Sequence, residues 1–441
     1  MKKTLLLTLA LITVHTCFAQ FGNLLDRAKN KVNNKVNQKI DQKMDNSIDK
    51  GIDGAENAAK KKQTKATDNT AADNEEAVAD KKGGSSPSPA SFRSYSRFDF
   101  VPGEKLVASE DFTQDAIGDF PDKWNTNGSG EIVTTSSREG KFLMTQKEVI
   151  FYPEWIKNLP DNFTLEFDLL STQKFSFYSG YFHVGFTSAA NVGADFRSFA
   201  RFGNGRLAKG GGFEVGFHPQ NAGGTQGLTA FYSSYDQKEV LKNYADQDKF
   251  SEPAKTAVRV SIWRQKTRVR VYMDDKKVWD MPKGIADGLK LNSLYFRNDA
   301  ATDDNDAFYI GNIRLAVGAP DTRNKLITEG KFVTHGILFD VNSDKIKPES
   351  YGAIKDIAGV LAENADVKVL IVGHTDSDGE DASNLELSKK RAAAVKTVLS
   401  KEFGVDAARL STDGKGETQP LDKNTTPLGK ASNRRVEFIK Q

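Results

Sequence analysis

The 441-residue chain predicts a multidomain protein: an all-β sandwich over residues 98–320, then an α+β domain over 333–441, both preceded by a helical and low-complexity arm. Three observations predict this. Apolar and polar residues alternate with period two through the middle of the chain, as in Phe163, Leu165, Phe167 and Leu169 and again in Val258, Val260 and Ile262. Nearer the C-terminus helical spacing takes over, with Ile354, Ile357, Ala358 and Leu361 on one face. Over residues 57–97 the composition narrows to Ala, Lys, Asp, Asn and Thr and then to Gly83-Gly84-Ser85-Ser86-Pro87-Ser88-Pro89, too little apolar surface to offset the entropy of ordering, so this stretch reads as a flexible linker.

The elements follow in order. Met1-Lys2-Lys3, the apolar Leu5 to Ile12 core and Cys17-Phe18-Ala19 have the layout of a secretory signal over residues 1–19, cleaved before Gln20, so the protein is expected to leave the cytoplasm. A lipid anchor on Cys17 is the rival reading, against which Val14-His15-Thr16 lacks the small residues wanted ahead of a lipidated cysteine. Cys17 is the single cysteine, so the mature chain forms no internal disulfide and no cysteine-ligated zinc site. No later stretch reaches the roughly 18 apolar residues of a membrane-spanning helix. Within residues 20–56, apolar side chains recur at a step of four: Leu24, Ala28, Val32, Val36, Ile40, Met44, Ile48 and Ile52. Each step overshoots the helical turn by about 40°, so the stripe winds round the rod. Self-association through residues 24–52 and a solvated arm both fit this pattern.

In the sandwich region, Val269, Val271 and Met273 lead into an Asp274-Asp275 turn, and Phe308, Ile310, Asn312 followed by Ile313, Leu315, Val317 predict a closing strand with a register change. Many short strands, Gly-rich connections and no long helix favour a sandwich. A closed membrane barrel also alternates, but needs strands of about 9–11 residues. Glu166 and Asp168 project from one strand face, as paired carboxylates for glycoside cleavage would; a solvated strand face is the competing reading. Asp303, Asp304 and Asp306 fit either a polar turn or oxygen ligands for calcium. The Asp376 to Asp381 run fails as an EF-hand, because Gly379 comes too early and Leu387 occupies the twelfth position. The glycines at 203, 205 and 210–212 precede no helix, so a phosphate cradle is unsupported and tight β-connections explain them. With a net charge of +3 and basic residues interleaved with acidic ones, no nucleic-acid surface is expected. Neither a cofactor, a metal centre nor a catalytic residue is expected.

The C-terminal domain reads as a βαβαββ unit: a strand through Gly336 to Phe339, a helix from Pro348 to Glu363, a strand from Val367 to Val372, a helix from Asn384 to Phe403, and strands near Leu410 and Val436. Ser383 with Glu386 suggests a capping box at the second helix. Asp376 then lies at the C-terminal end of a strand, and Arg391 about two turns into the next helix slants back toward it. A carboxylate and a planar guanidinium in one cleft complement the ammonium and carboxylate of a free amino acid; a plain salt bridge is the simpler alternative.

Three ordered motifs bear on that choice. Gly373-His374-Thr375-Asp376, then Asn384-x-x-Leu387-Ser388-x-x-Arg391-Ala392, then Asn433-Arg434-Arg435-Val436-Glu437 resemble the OmpA-like peptidoglycan-binding domain, down to the fifteen-residue step from Asp376 to Arg391. The resemblance implies that Asp376 and Arg391 grip the diaminopimelate of the cell-wall stem peptide, with Asn342, Leu387 and Arg434 lining the pocket. One position departs: Gly429-Lys430 stands where the family carries Gly-Arg. The middle region resembles a concanavalin-like or laminin-G-like jelly roll, although the Glu-x-Asp-x-x-Glu motif of jelly-roll glucanases ends here in Ser171. These resemblances imply a non-enzymatic envelope protein of the periplasm, associated with outer membrane and peptidoglycan, whose sandwich takes a glycan or protein ligand. The alternative is a glycan-processing hydrolase with its active site in the jelly roll.

Overall fold

The computed structural model describes residues 98–146, 148–199, 210–319 and 321–441. The signal, the stepped helix and the linker lie outside the described residues. The strands of the middle region are β1 (Lys105–Glu110), β2 (Trp124–Thr126), β3 (Glu131–Thr134), β4 (Lys141–Thr145), β5 (Val149–Pro153), β6 (Asn162–Ser171), β7 (Phe182–Thr187), β8 (Gly211–His218), β9 (Gly227–Tyr235), β10 (Lys238–Gln247), β11 (Ala257–Gln265), β12 (Arg268–Met273), β13 (Lys276–Met281), β14 (Ser293–Asn298) and β15 (Phe308–Val317). A short helix, α1 (Val192–Phe199), interrupts them and has no counterpart in the sequence reading.

Two open antiparallel sheets result, β13-β12-β11-β6-β15-β4-β3 with β1 also paired to β15, and β10-β9-β8-β7-β14-β5-β2. Alternation explains how they stack. Phe163, Leu165, Phe167 and Leu169 of β6 are all buried and meet Phe182, Val184 and Phe186 of β7 in one core. Phe163 lies 5.0 Å from Phe186 and Phe167 5.4 Å from Phe296, centroid to centroid, with the second pair edge-on as aromatic quadrupoles favour. Strands β6, β10 and β15 run to ten residues, longer than expected, yet the sheets end on edge strands instead of closing. The register change in β15 takes the form of a bulge between Gly311 and Arg314, with Asn312 at φ +50°. The Asp274 turn joins β12 to β13 as expected.

One expectation is overturned. Glu166 and Asp168 share a face, but that face is not solvated: they are 3% and 2% exposed. Asp168 accepts from Arg259 Nη1 at 3.2 Å and Asn312 Nδ2 at 3.3 Å, and lies 3.0 Å from Arg138 Nε. Glu166 Oε2 is 3.5 Å from Arg259 Nη2. The cause is long-range packing. The C-terminal domain covers this face, bringing the charge of Glu349 to bear on Arg259 and the carbonyl of His335 to within 2.9 Å of Arg314 Nη2.

The C-terminal domain comprises β16 (Lys331–Thr334), α2 (Tyr351–Glu363), β17 (Val369–His374), α3 (Asp381–Lys401), β18 (Leu410–Gly416), α4 (Pro427–Asn433) and β19 (Val436–Lys440). Its sheet runs β16-β19-β17-β18, with β17 and β18 parallel and β19 antiparallel to β17 and β16. The inward face of α2, Ile354, Ile357, Ala358 and Leu361, is buried as its spacing predicts. Three local expectations shift. The first strand lies at 331–334, and the Gly336 to Phe339 stretch keeps only an isolated bridge from Phe339 to Ile346. Helix α3 starts at Asp381 with Glu380 as N-cap, so Ser383 lies inside the first turn and forms no capping box. Helix α4 was not anticipated; Pro427 opens it and Thr426 caps it by accepting from the Gly429 amide at 3.0 Å.

Two further contacts join the domains. Phe98 and Phe100 lie edge-on to Tyr272 and Trp263, and Tyr272 donates to Asp99 at 2.8 Å. Gly352 admits this segment onto α2, since a Cβ there would lie 2.0 Å from the Phe100 carbonyl oxygen. On the other side, Leu428 and Ala431 of α4 pack on Leu106 and Ala316 of the sandwich. Here His335 Nε2 donates to the Ser432 carbonyl at 3.0 Å, while burial and then the Arg314 charge hold its pKa down to about 4. A histidine depressed from its ordinary value near 6.5 contributes stability that is complete above that value and is lost as pH falls toward 4. Acidification from pH 7 to 4.5 should therefore cost wild type on the order of 2–3 kcal/mol more than His335→Gln, measured as the shift in denaturation midpoint. Equal shifts would show that His335 is not the titrating group.

Candidate functional site

The site is built where α3 presses on the sheet. A Cβ on Gly373 would lie 2.2 Å from the Ser388 carbonyl oxygen, and one on Gly414 2.4 Å from Ser388 Oγ, so both glycines are needed for this approach. Ser388 Oγ accepts from the Gly416 amide at 2.9 Å, locking helix to strand. Thus β17 delivers Thr375 and Asp376 to the end of the sheet beside the helix that carries Arg391. The amides of His374 and Thr375 donate to Arg435 and Gly416, both at 3.0 Å. Asn384 Nδ2 donates to the carbonyls of Asp376 and Asp378 at 3.3 and 3.1 Å and to Glu417 Oε2 at 2.6 Å, which shapes the loop between them.

Asp376 does not pair with Arg391. Its ion partner is Arg434, whose Nη1 donates to Oδ2, while Oδ1 accepts the Asp378 amide at 3.3 Å. The Asp376 side chain is 10% exposed and that of Arg434 43%, so the pair runs from a buried carboxylate to a partly exposed guanidinium. Arg391 donates through Nε to the Ser343 carbonyl at 3.0 Å and stacks 4.9 Å over the Phe339 ring. Burial lowers its pKa, with Asp376 and Asp344 opposing and Arg434 adding to the shift, so all three pocket charges act on one another. Among the described residues, Arg391 Nη1 and Nη2 have no partner.

The remaining expected residues surround this group. Asn342 is exposed at φ +50° in a loop closed by the Asp340 amide to Lys345 carbonyl bond of 3.0 Å, and that loop presents the Ser343 carbonyl to Arg391. Leu387 is half-buried one turn before Arg391. Lys430, at the departing position, is 2.7 Å from Asp378 Oδ1 and ties α4 to the loop after Asp376. His374 is buried 3.6 Å from Glu437 Oε1. Although burial pushes Glu437 up, the nearby His374 and the ion pairs with Lys331 and Arg435 hold it well below the carboxylate range. Phe339, Ser343 and Asn384 were missed. Asn384 was visible as the first residue of the second motif, whereas a carbonyl contact such as that of Ser343 leaves no trace in residue type. Chemically, one carboxylate with an accepting oxygen and one guanidinium with two unpaired nitrogens suit a small molecule bearing both an ammonium and a carboxylate.

Comparison with known proteins finds relatives of the C-terminal domain. The OmpA family matches over residues 338–434. Outer membrane porin F of Pseudomonas aeruginosa is 43% identical over 101 residues, 23% of this chain and 29% of the porin. The probable lipoprotein YiaD of Escherichia coli is 40% identical over 104 residues, 24% of this chain and 47% of its own length. The chain thus spans less than half of either relative. Among solved structures, the peptidoglycan-associated lipoprotein from Burkholderia pseudomallei aligns at 27% identity and a TM-score of 0.24, covering 27% of this chain and all of that one. Residues 338–434 of this chain are an OmpA-family domain.

Proposed function

We propose that this protein is an exported, non-enzymatic anchor of the cell envelope that holds peptidoglycan non-covalently through the diaminopimelate of its stem peptide. The observation that carries this reading is the pair of unpartnered Arg391 nitrogens beside Asp376 at the end of β17. The ligand carboxylate meets Arg391 and its ammonium meets Asp376, with Asn342, Leu387 and Arg434 as walls. Membership of the OmpA family and the outer-membrane relatives support a place in the periplasm, against the outer membrane and wall. The sandwich is the cargo of the anchor, with a glycan or protein as its ligand. A hydrolase acting through Glu166 and Asp168 fits poorly, since both are tied to arginines under the C-terminal domain.

The energetics favour a tether. Each charge-assisted hydrogen bond contributes roughly 1.5–3 kcal/mol, against an association cost on the order of 4–15 kcal/mol. Single-site affinity is therefore modest, and the many stem peptides of a polymeric wall sustain attachment through rapid rebinding. The test is co-sedimentation with purified diaminopimelate-type sacculi, untreated or with the free amine of that residue acetylated. Retention should fall on acetylation; equal retention on both would refute headgroup recognition.

A further inference from the structure

In the same wall-peptide reading, we propose that the sandwich supplies a positioning residue to the pocket: Arg314, acting through His335 and Ser432 on Arg434. Helix α4 is the element from whose end Arg434 reaches Asp376, and the Arg434 amide closes that end on the Lys430 carbonyl at 3.0 Å. The helix rests on the sandwich. Leu428 and Ala431 pack against Leu106 of β1 and Ala316 of β15. From β15, Arg314 Nη2 donates to the His335 carbonyl at 2.9 Å, and His335 Nε2 donates to the Ser432 carbonyl at 3.0 Å, in the last turn of α4. Two hydrogen bonds therefore connect a sandwich strand to the residue pair preceding Arg434.

The β15 bulge makes this possible. Inserting a residue at Asn312 re-phases the strand, so Ile313 and Leu315 return to the core while Arg314 and Ala316 face the C-terminal domain. Arg314 lies within electrostatic reach of Glu166 on its own sheet and of Arg434 in the pocket. Its Nε is buried without a partner, a cost that a merely decorative surface arginine would not carry. Depressed by burial, His335 stays neutral at working pH, a condition in which the imidazole keeps one N–H for Ser432. An OmpA-family domain lacking this sandwich would lack the prop beneath Arg434.

The experiment is a double-mutant cycle read as Kd for a synthetic stem tripeptide with free diaminopimelate, titrated calorimetrically into the full chain. Arg314→Gln should weaken binding about three- to tenfold, Arg314→Lys should recover part of that loss, and Arg314→Gln should cost nothing further on an Arg434→Gln background. An unchanged Kd for Arg314→Gln, or losses that multiply in the double variant, would overturn the proposal. Should Arg314→Gln fold poorly, the same cycle run with Arg314→Lys and His335→Gln decides it by the same criterion. Asp376→Asn separates the two levels. If that variant binds like wild type, the wall-peptide reading falls as well; if it loses binding while Arg314→Gln does not, only the positioning role falls.

Discussion

Arg391→Ala should lose at least tenfold in affinity for a diaminopimelate stem peptide, with the fold intact. Arg391 contributes one hydrogen bond to the Ser343 carbonyl and a ring contact with Phe339, so its loss costs the fold about 1 kcal/mol. The ligand loses more, because a planar fork and its charge leave together and two charge-assisted bonds go with them. Asp376→Ala should weaken binding by a similar factor. It also frees Arg434, which is exposed enough for water to replace the lost partner. Asp378→Asn is the contrast: it breaks only the rim contact with Lys430, and exposed pairs of that kind contribute about 0–1 kcal/mol. Calorimetric titration with the peptide, paired with thermal midpoints, checks all three. Full affinity in a folded Arg391→Ala variant would remove Arg391 from the site.

Arg259→Met should destabilise the protein by about 3–5 kcal/mol, because it leaves Glu166 and Asp168 buried with too little positive charge. Arg259 is 2% exposed and donates to Asp168 and to the Asn312 carbonyl, the latter at 2.7 Å, at the bulge itself. The measurement is the urea midpoint. Adding Glu166→Gln and Asp168→Asn to Arg259→Met should recover part of the loss, since the uncompensated charges then disappear. A midpoint within about 0.5 kcal/mol of wild type for the single variant would show that water reaches this cluster and that it does not hold the domains together.

Buried charge is the feature of this fold least legible in residue order. Glu214 lies on a strand of alternating polarity, yet it is 3% exposed and accepts from Tyr295 OH at 2.6 Å and from Arg297 Nε and Nη2 at 2.8 and 2.7 Å. Burial pushes this carboxyl up, but Arg297 and His183 hold it well below its ordinary range. Nothing near Glu214 in the chain announces those partners, which arrive from β7 and β14.

Local pattern alone determined the alternation that makes β6 and β11 strands, the register change at Asn312, the inward face of α2, and the ordered motifs that contain Asp376 and Arg391. Each of these depends on periodicity or on short-range backbone geometry, which residue order encodes directly. Tertiary structure decided that Asp376 pairs with Arg434 across 58 residues, that Glu166 and Asp168 lie under another domain, and that Arg314 and His335 link β15 to α4 by hydrogen bonds. A charge carries no periodicity and can be satisfied by any opposite charge, so its partner is selected only when distant elements pack and water is excluded between them.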